Sequence, residues 1–257
     1  MNALSQLAET MVSPTGGFAF CGTGVSGPAG DTFHRATAKG ILGDADSYWR
    51  AASISKIVTG RVVHDAVQRA GLDTATVQDI LGLPFRAPDG TAPTVGQLAS
   101  HTAGISDAAG YVVPADVPLP DWLAECNGGF WSGASPGAQF EYSNLGFTIL
   151  AACGEVASGK PFDAFTREYF QSCDIAASFN WTGQATPVHV LPTYRRTDAG
   201  QFEAQIDGAG PTVPMAPDPY GLALHHQIYS PQGGMRISLR QLMALGRTLS
   251  DHPTGGG

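Results

Sequence analysis

The stretch Tyr48-Trp49-Arg50-Ala51-Ala52-Ser53-Ile54-Ser55-Lys56 stands at the entrance to a helical pattern. Ile54, Ile57, Val58, Val62, Ala66 and Val67 recur at three- and four-residue intervals, which predicts an amphipathic helix from about Ser53 to Ala70, closed by Gly71. Ser53 and Lys56 are three apart, so in the first turn they share a face, with an amine beside a hydroxyl. A serine hydroxyl is a weak nucleophile until a neighbour takes its proton, and the positive end of a helix favours the developing alkoxide. The Ser53 N–H would supply one half of an oxyanion hole. The plain alternative is that Ser53 caps the helix and Lys56 is a solvated charge.

A second pattern, Tyr142-Ser143-Asn144, bears on that choice. It precedes another helical face, formed by Leu145, Ile149, Ala152 and Val156 and stopped by Gly159 and Pro161, with Asn144 expected as its N-cap. Further out, Gly17 to Gly24 and Thr32 to Ala38 alternate as an early antiparallel strand pair. Thr94 with Gln97, and Ser238 with Gln241, have the capping-box form. Leu239, Leu242, Met243 and Leu249 give the second of these the apolar side of a last helix. Residues 180–233 are rich in Pro, Gly and Thr and read as loops.

Other catalytic patterns fail on physical grounds. Gly22, Gly24 and Gly27 fit a dinucleotide fingerprint, but Pro28, Ala29 and Gly30 follow where a helix N-terminus should face the pyrophosphate. Gly133, Ser135 and Gly137 fit a nucleophile elbow, yet Pro136 lacks the N–H that the elbow's oxyanion hole uses. His225 and His226 are adjacent and cannot share one metal from a helix. No C-x-x-C pair or zinc-spaced cluster exists, so no zinc site is expected, and Cys21, Cys126, Cys153 and Cys173 read as reduced and mostly buried.

Composition narrows the partners. The chain has 257 residues and a net charge of −8, and its only lysines are Lys39, Lys56 and Lys160. No basic stripe is available to track nucleic acid or an anionic membrane. The first seventeen residues lack both the charged and the apolar parts of a secretory signal, so a cytoplasmic location is expected, or a periplasmic one had a signal been removed.

Four segments together resemble the class C β-lactamase-like serine hydrolases, a family that includes penicillin-binding DD-peptidases, β-lactamase-fold esterases and the LACTB type. They are the 48–56 stretch, Leu98-Ala99-Ser100-His101-Thr102-Ala103-Gly104-Ile105, Pro136 through Phe147, and Gly233-Gly234-Met235 followed by Ser238 and Leu242. The resemblance implies an α+β fold, an antiparallel sheet flanked by helices beside a mostly helical lobe. It implies Ser53 as the acylated nucleophile, and Lys56 as its hydrogen-bond partner and the cation that lowers the Tyr142 pKa. Tyr142 would be the general base and Asn144 a substrate-binding amide that also fixes Lys56. His101, Gly104, Gly233 and Gly234 would be structural, and the implied reaction is acyl transfer to water through an ester intermediate with no metal and no cofactor.

The family's third motif, a Lys/His-x-Gly strand, is missing; His252-Pro253-Thr254-Gly255 is the sole candidate and carries a strand-breaking proline. Only the first two strands of a five-stranded sheet are legible. The expectation is therefore one β-lactamase-related domain over 1–257, incomplete at its C-terminus, with sheet and nucleophile helix at about 12–60, a helical and loop lobe at 61–232 and a returning helix at 233–257. A second chain or a missing segment would complete the sheet and the oxyanion hole. Expected substrates are small-molecule esters, β-lactams or amides, cleaved by a β-lactamase-fold carboxylesterase or β-lactamase-like hydrolase. A cytoplasmic or cell-wall D-amino-acid peptidase acting on peptides is the alternative, and a non-catalytic binding relative is the rival of another class.

Overall fold

In a computed structural model, the described residues are 3–13, 18–27, 30–37, 43–114, 117–181, 189–205 and 229–251. The chain begins with helix α1 (Ala3–Val12) and strands β1 (Phe20–Gly27), β2 (Gly30–Thr37) and β3 (Tyr48–Arg50). A 3-10 turn (Ala52–Ile54) leads into helices α2 (Ser55–Arg69), α3 (Val77–Leu81), α4 (Val95–Ala99), α5 (Leu119–Glu125), α6 (Asn144–Ser158) and α7 (Phe162–Ser172). Strands β4 (Ala177–Ser178), β5 (Thr193–Arg196), β6 (Phe202–Gln205) and β7 (Arg236–Ser238) precede the last helix, α8 (Leu239–Asp251). Contacts group the chain into two compact units, one of residues 1–50, 170–210 and 236–257, the other of 51–169 and 211–235.

In the first unit β1 and β2 pair antiparallel, from Phe20 opposite Thr37 to Gly27 opposite Gly30. The expected pair is present, with its first strand placed later and its second starting earlier than expected, at Gly30, whose φ of +102° lies in the region that favours glycine. The Gly22/Gly24 spacing also finds its reason here. α8 packs on β1 so closely that a Cβ on Gly24 would overlap the Met243 Sδ, and one on Gly22 would lie 3.1 Å from Leu239. The glycines are spacers for helix packing. Two strands are expected from the sequence, and the structure corrects that count: among the described residues there are five more, each of two to four residues. β3, β7 and β4 form an antiparallel sheet in that order, and β5 pairs with β6 in a separate hairpin. Strands this short show too little alternation to be read against a Pro- and Gly-rich background.

The second unit is built on two helices. α2 buries Val58, Val62, Val63, Ala66 and Val67 against α6, which is buried from Leu145 through Glu155. Gly154 allows the approach, since a Cβ there would stand 2.7 Å from a Val63 methyl and 3.0 Å from Phe165. Ile57 and Val156, expected in the apolar faces, are exposed. α3 and α4 both begin with reciprocal capping boxes, Thr76 with Asp79 and Thr94 with Gln97, and both pack on α6. The expected box at Ser238 is only half made: Ser238 Oγ accepts from Gln241 N, while the Gln241 carbonyl is taken by Ala176 N.

All four cysteines are free, and only Cys153 is fully buried, which corrects the expectation for the other three. Burial in apolar α6 pushes its thiol up to about 12, so it packs as a small hydrophobe. Among the described residues no helix is long and apolar enough to cross a membrane. His225, His226 and the 252–255 candidate motif lie outside the described residues.

Candidate active site

Four residues singled out in the sequence meet in the second unit. Ser53 sits in the 3-10 turn just before α2, exposed rather than capping the helix. The preceding Ala52 has φ +46°, a left-handed conformation that costs a residue with a Cβ about 1–2 kcal/mol. Ser53 Oγ lies 2.6 Å from the Tyr142 hydroxyl, a short O–H···O contact. Lys56, one turn on and 7% exposed, donates to Ser53 Oγ at 3.4 Å, to Asn144 Oδ1 at 2.8 Å and to the Gln232 carbonyl at 2.7 Å. Its ammonium also lies 4.8 Å from the centre of the Tyr142 ring.

These contacts act on the Tyr142 phenol. Burial by itself pushes its pKa up, but hydrogen bonds from Lys56 and Ser53 and the Lys56 charge outweigh that and hold it below the ordinary tyrosine value, against opposition from Asp107. The pair Ser53 and Tyr142 therefore has a hydroxyl in contact with a phenol of increased acidity.

α6 delivers Tyr142 and Asn144 from its N-terminal end. The N-cap is Ser143, whose Oγ accepts from Gly146 N at 3.0 Å; Asn144, expected as the cap, is the first helical residue. Its side chain is engaged elsewhere, with Oδ1 on Lys56 and Nδ2 donating to Asp107 at 2.8 Å. One amide hydrogen expected to face substrate is thus committed to Asp107, a residue the sequence reading passed over. The Asp107 carboxylate also accepts from Ser143 Oγ and from the backbone N–H groups of Asn144 and Leu145. These bonds bridge 36 to 38 positions, a separation at which no local pattern exists.

His101 supports Tyr142 from the other side. Its φ of +58° turns the chain, its Nδ1 accepts from Ser143 N at 3.1 Å, and its ring lies 4.5 Å from that of Tyr142. Burial first, then the Lys56 charge, lower its pKa against the Asp107 charge, consistent with a neutral ring whose Nδ1 accepts. Gly104, at φ +71°, lets the loop lie on the segment that begins the Pro136–Phe147 motif: a Cβ would overlap the Ala134 carbonyl, and Gly137 N donates to Thr102 O at 2.6 Å.

The loop 230–235 closes the floor beneath Lys56. Thr59 Oγ1 donates to the Pro231 carbonyl at 2.8 Å, Met235 N donates to Ser55 Oγ at 3.1 Å, and Ala51 N donates to Met235 O at 2.9 Å. Gly234 fits here because a Cβ would overlap the Tyr229 carbonyl and crowd Ser230. The Gln232 carbonyl contact is a backbone feature, invisible to residue-type reasoning. Among the described residues no group of three or more His, Cys, Asp or Glu side chains is placed to hold a metal ion.

A family model described as Beta-lactamase matches residues 19–255. Among solved structures, the D-stereospecific amidohydrolase from Streptomyces sp. superposes with a TM-score of 0.71 at 21% identity, over 97% of this chain and 73% of its own. The class C beta lactamase from Rhodobacter sphaeroides gives a TM-score of 0.67 at 16% identity, over 99% and 67%. At such identities these are likenesses of fold. The Probable fimbrial assembly protein FimD of Dichelobacter nodosus is 31% identical over 136 residues, which is 49% of this chain. That match spans 33% of the curated relative's length.

Proposed function

The chain belongs to the beta-lactamase family, and from that membership we propose that it is a serine hydrolase working through an acyl-enzyme on Ser53, with esters as its principal substrates. One observation carries the reading: the 2.6 Å contact between Ser53 Oγ and the Tyr142 hydroxyl, with the Lys56 ammonium held beside both by Asn144 and Gln232. Among the described residues the nucleophile is exposed and its base is 44% exposed, which leaves Ser53 open to a planar carbonyl.

In the proposed reaction Tyr142, as phenolate, takes the Ser53 proton while Oγ bonds to the carbonyl carbon of the substrate. The tetrahedral oxyanion is met by the Ser53 N–H. When the bond to the leaving oxygen breaks, Tyr142 returns the proton to it and is ready to activate the water that hydrolyses the ester on Ser53. The Lys56 ammonium, held by Asn144 and the Gln232 carbonyl, stabilises the phenolate between transfers.

The test is labelling of the full chain with a fluorophosphonate, located by mass spectrometry, alongside p-nitrophenyl esters, nitrocefin and D-amino-acid amides. Labelling at Ser53, lost in Ser53→Ala, with ester turnover leading the panel, is the expected result. Labelling at another residue, or no labelling with tight substrate binding, overturns the reading in favour of a non-catalytic binder. Faster turnover of D-amino-acid amides would replace esters by amides as the proposed substrate class.

A further inference from the structure

Asn144 can meet Lys56 in two ways. An amide has unlike ends, and only its oxygen can accept from an ammonium, while only its nitrogen can give a hydrogen to a carboxylate. Turned over, it would put a donor against the Lys56 cation. Asp107 accepts Nδ2 at 2.8 Å, which leaves Oδ1 on the Lys56 side, where the ammonium donates at 2.8 Å. We infer that Asp107 is a positioning residue of this site: its carboxylate selects the orientation of the Asn144 amide and thereby holds the Lys56 ammonium beside Ser53 and Tyr142. The inference rests on the hydrolase reading for its effect on rate, though not for its geometry.

The carboxylate is itself firmly placed. The segment before it is tied by Ser106 N to the Phe130 carbonyl at 2.8 Å, and its own carbonyl accepts from Gly110 N at 2.9 Å. Its oxygens take Asn144 N at 2.8 and 3.1 Å, Leu145 N at 3.0 Å and Ser143 Oγ at 3.0 Å. The bonds to backbone N–H groups serve the start of α6, where a negative charge suits the helix. The bond to Nδ2 does not. Gly146 N is already capped by Ser143, and an α6 N-terminus needs no side-chain amide turned one way or the other. That bond links a carboxylate outside the reacting group to the cation inside it.

The substitution Asp107→Asn keeps size and an oxygen for the backbone N–H groups, but it offers Asn144 a donor in place of an acceptor. The Asn144 amide then turns over and Lys56 loses its 2.8 Å partner. Expected is a fall in the acylation rate constant of roughly a hundredfold, the scale set by misplacing a catalytic group by about 1 Å. The loss should fall mainly on the acylation rate constant rather than on substrate KM, as Lys56 stands beside the reacting oxygen. The double variant Asp107→Asn with Asn144→Asp restores a donor–acceptor pair and an oxygen for Lys56, and should recover at least about tenfold of the loss. A helix-capping role alone predicts a lower melting temperature in Asp107→Asn and no recovery in the double variant, and that result overturns the inference. So does a wild-type rate in Asp107→Asn. A crystal structure of Asp107→Asn separates this from the hydrolase reading: Lys56 still bonded to Asn144 overturns the positioning role whether or not Ser53 reacts. An unlabelled wild-type Ser53 overturns only the hydrolase reading.

Discussion

Replacing Tyr142 with Phe removes one oxygen and leaves a ring of the same shape against His101 at 4.5 Å. The phenol oxygen is the atom 2.6 Å from Ser53 Oγ, so the substitution deletes the proposed base while its surroundings stay in place. General-base catalysis contributes about 10²–10⁴-fold, which is roughly 3–5 kcal/mol of barrier at 1.36 kcal/mol per tenfold. The stability cost is smaller. One partly exposed hydrogen bond is lost, with a net value of about 0.5–1.5 kcal/mol, and no buried donor is stranded. Tyr142→Phe should therefore label with fluorophosphonate at least about a hundredfold more slowly than wild type, and melt within a few degrees of it. The two measurements must be made on the same preparation, because only their divergence is diagnostic. Retention of more than about a tenth of the wild-type rate at unchanged melting would refute the reasoning, and would move the role of base to Lys56.

Two further outcomes follow from the same contacts. Lys56→Met removes both the hydrogen bond and the charge that hold the Tyr142 phenol below its ordinary pKa, leaving the upward push of burial and of Asp107. The rise of kcat/KM with pH, which reports the phenol losing its proton, should then shift to higher pH; an unmoved limb in a pH–rate profile contradicts the assignment. Gly234→Ala forces a Cβ into the Tyr229 carbonyl and Ser230, so the 230–235 turn must open, at a cost of about 1–3 kcal/mol. Calorimetry should show a lowered melting temperature together with weakened ester turnover, since Gln232 is a Lys56 partner; intact values of both would show the loop to be more yielding than drawn.

Legibility in the sequence followed the range of the interaction. α2 and α6 were readable because Val58, Val62 and Ala66, or Leu145, Ile149 and Ala152, repeat within one helix and are buried by the same few turns. Gly159 was readable as a stop because a left-handed residue, here at φ +68°, ends a helix through its own backbone. α3 carries a capping box at Thr76, but Asp79 stands where the usual pattern has Glu or Gln, which leaves the helix start without its ordinary sequence signature. α7 bears a periodic Phe162, Phe165, Thr166 and Phe170 that was there to be found. α1 buries only Ala8 and offers no such stripe.

The sequence by itself determined the chemical kind of the site. S-x-x-K at the entrance to a helix sets an amine near a hydroxyl, because the three-residue spacing is local. The ordered segments that follow placed Tyr142 and Asn144 in the same company. Tertiary structure alone decided how those groups face one another. That the phenol meets Ser53 depends on α2 and α6 packing through Gly154 and on the His101 ring. That Lys56 is gripped from below depends on a backbone carbonyl at Gln232, 176 positions away, which any residue type could supply. That Asn144 points its oxygen inward depends on Asp107, in a different loop. Side-chain chemistry is written in the residues, whereas orientation comes from partners distant in the chain, whose encounter only folding brings about.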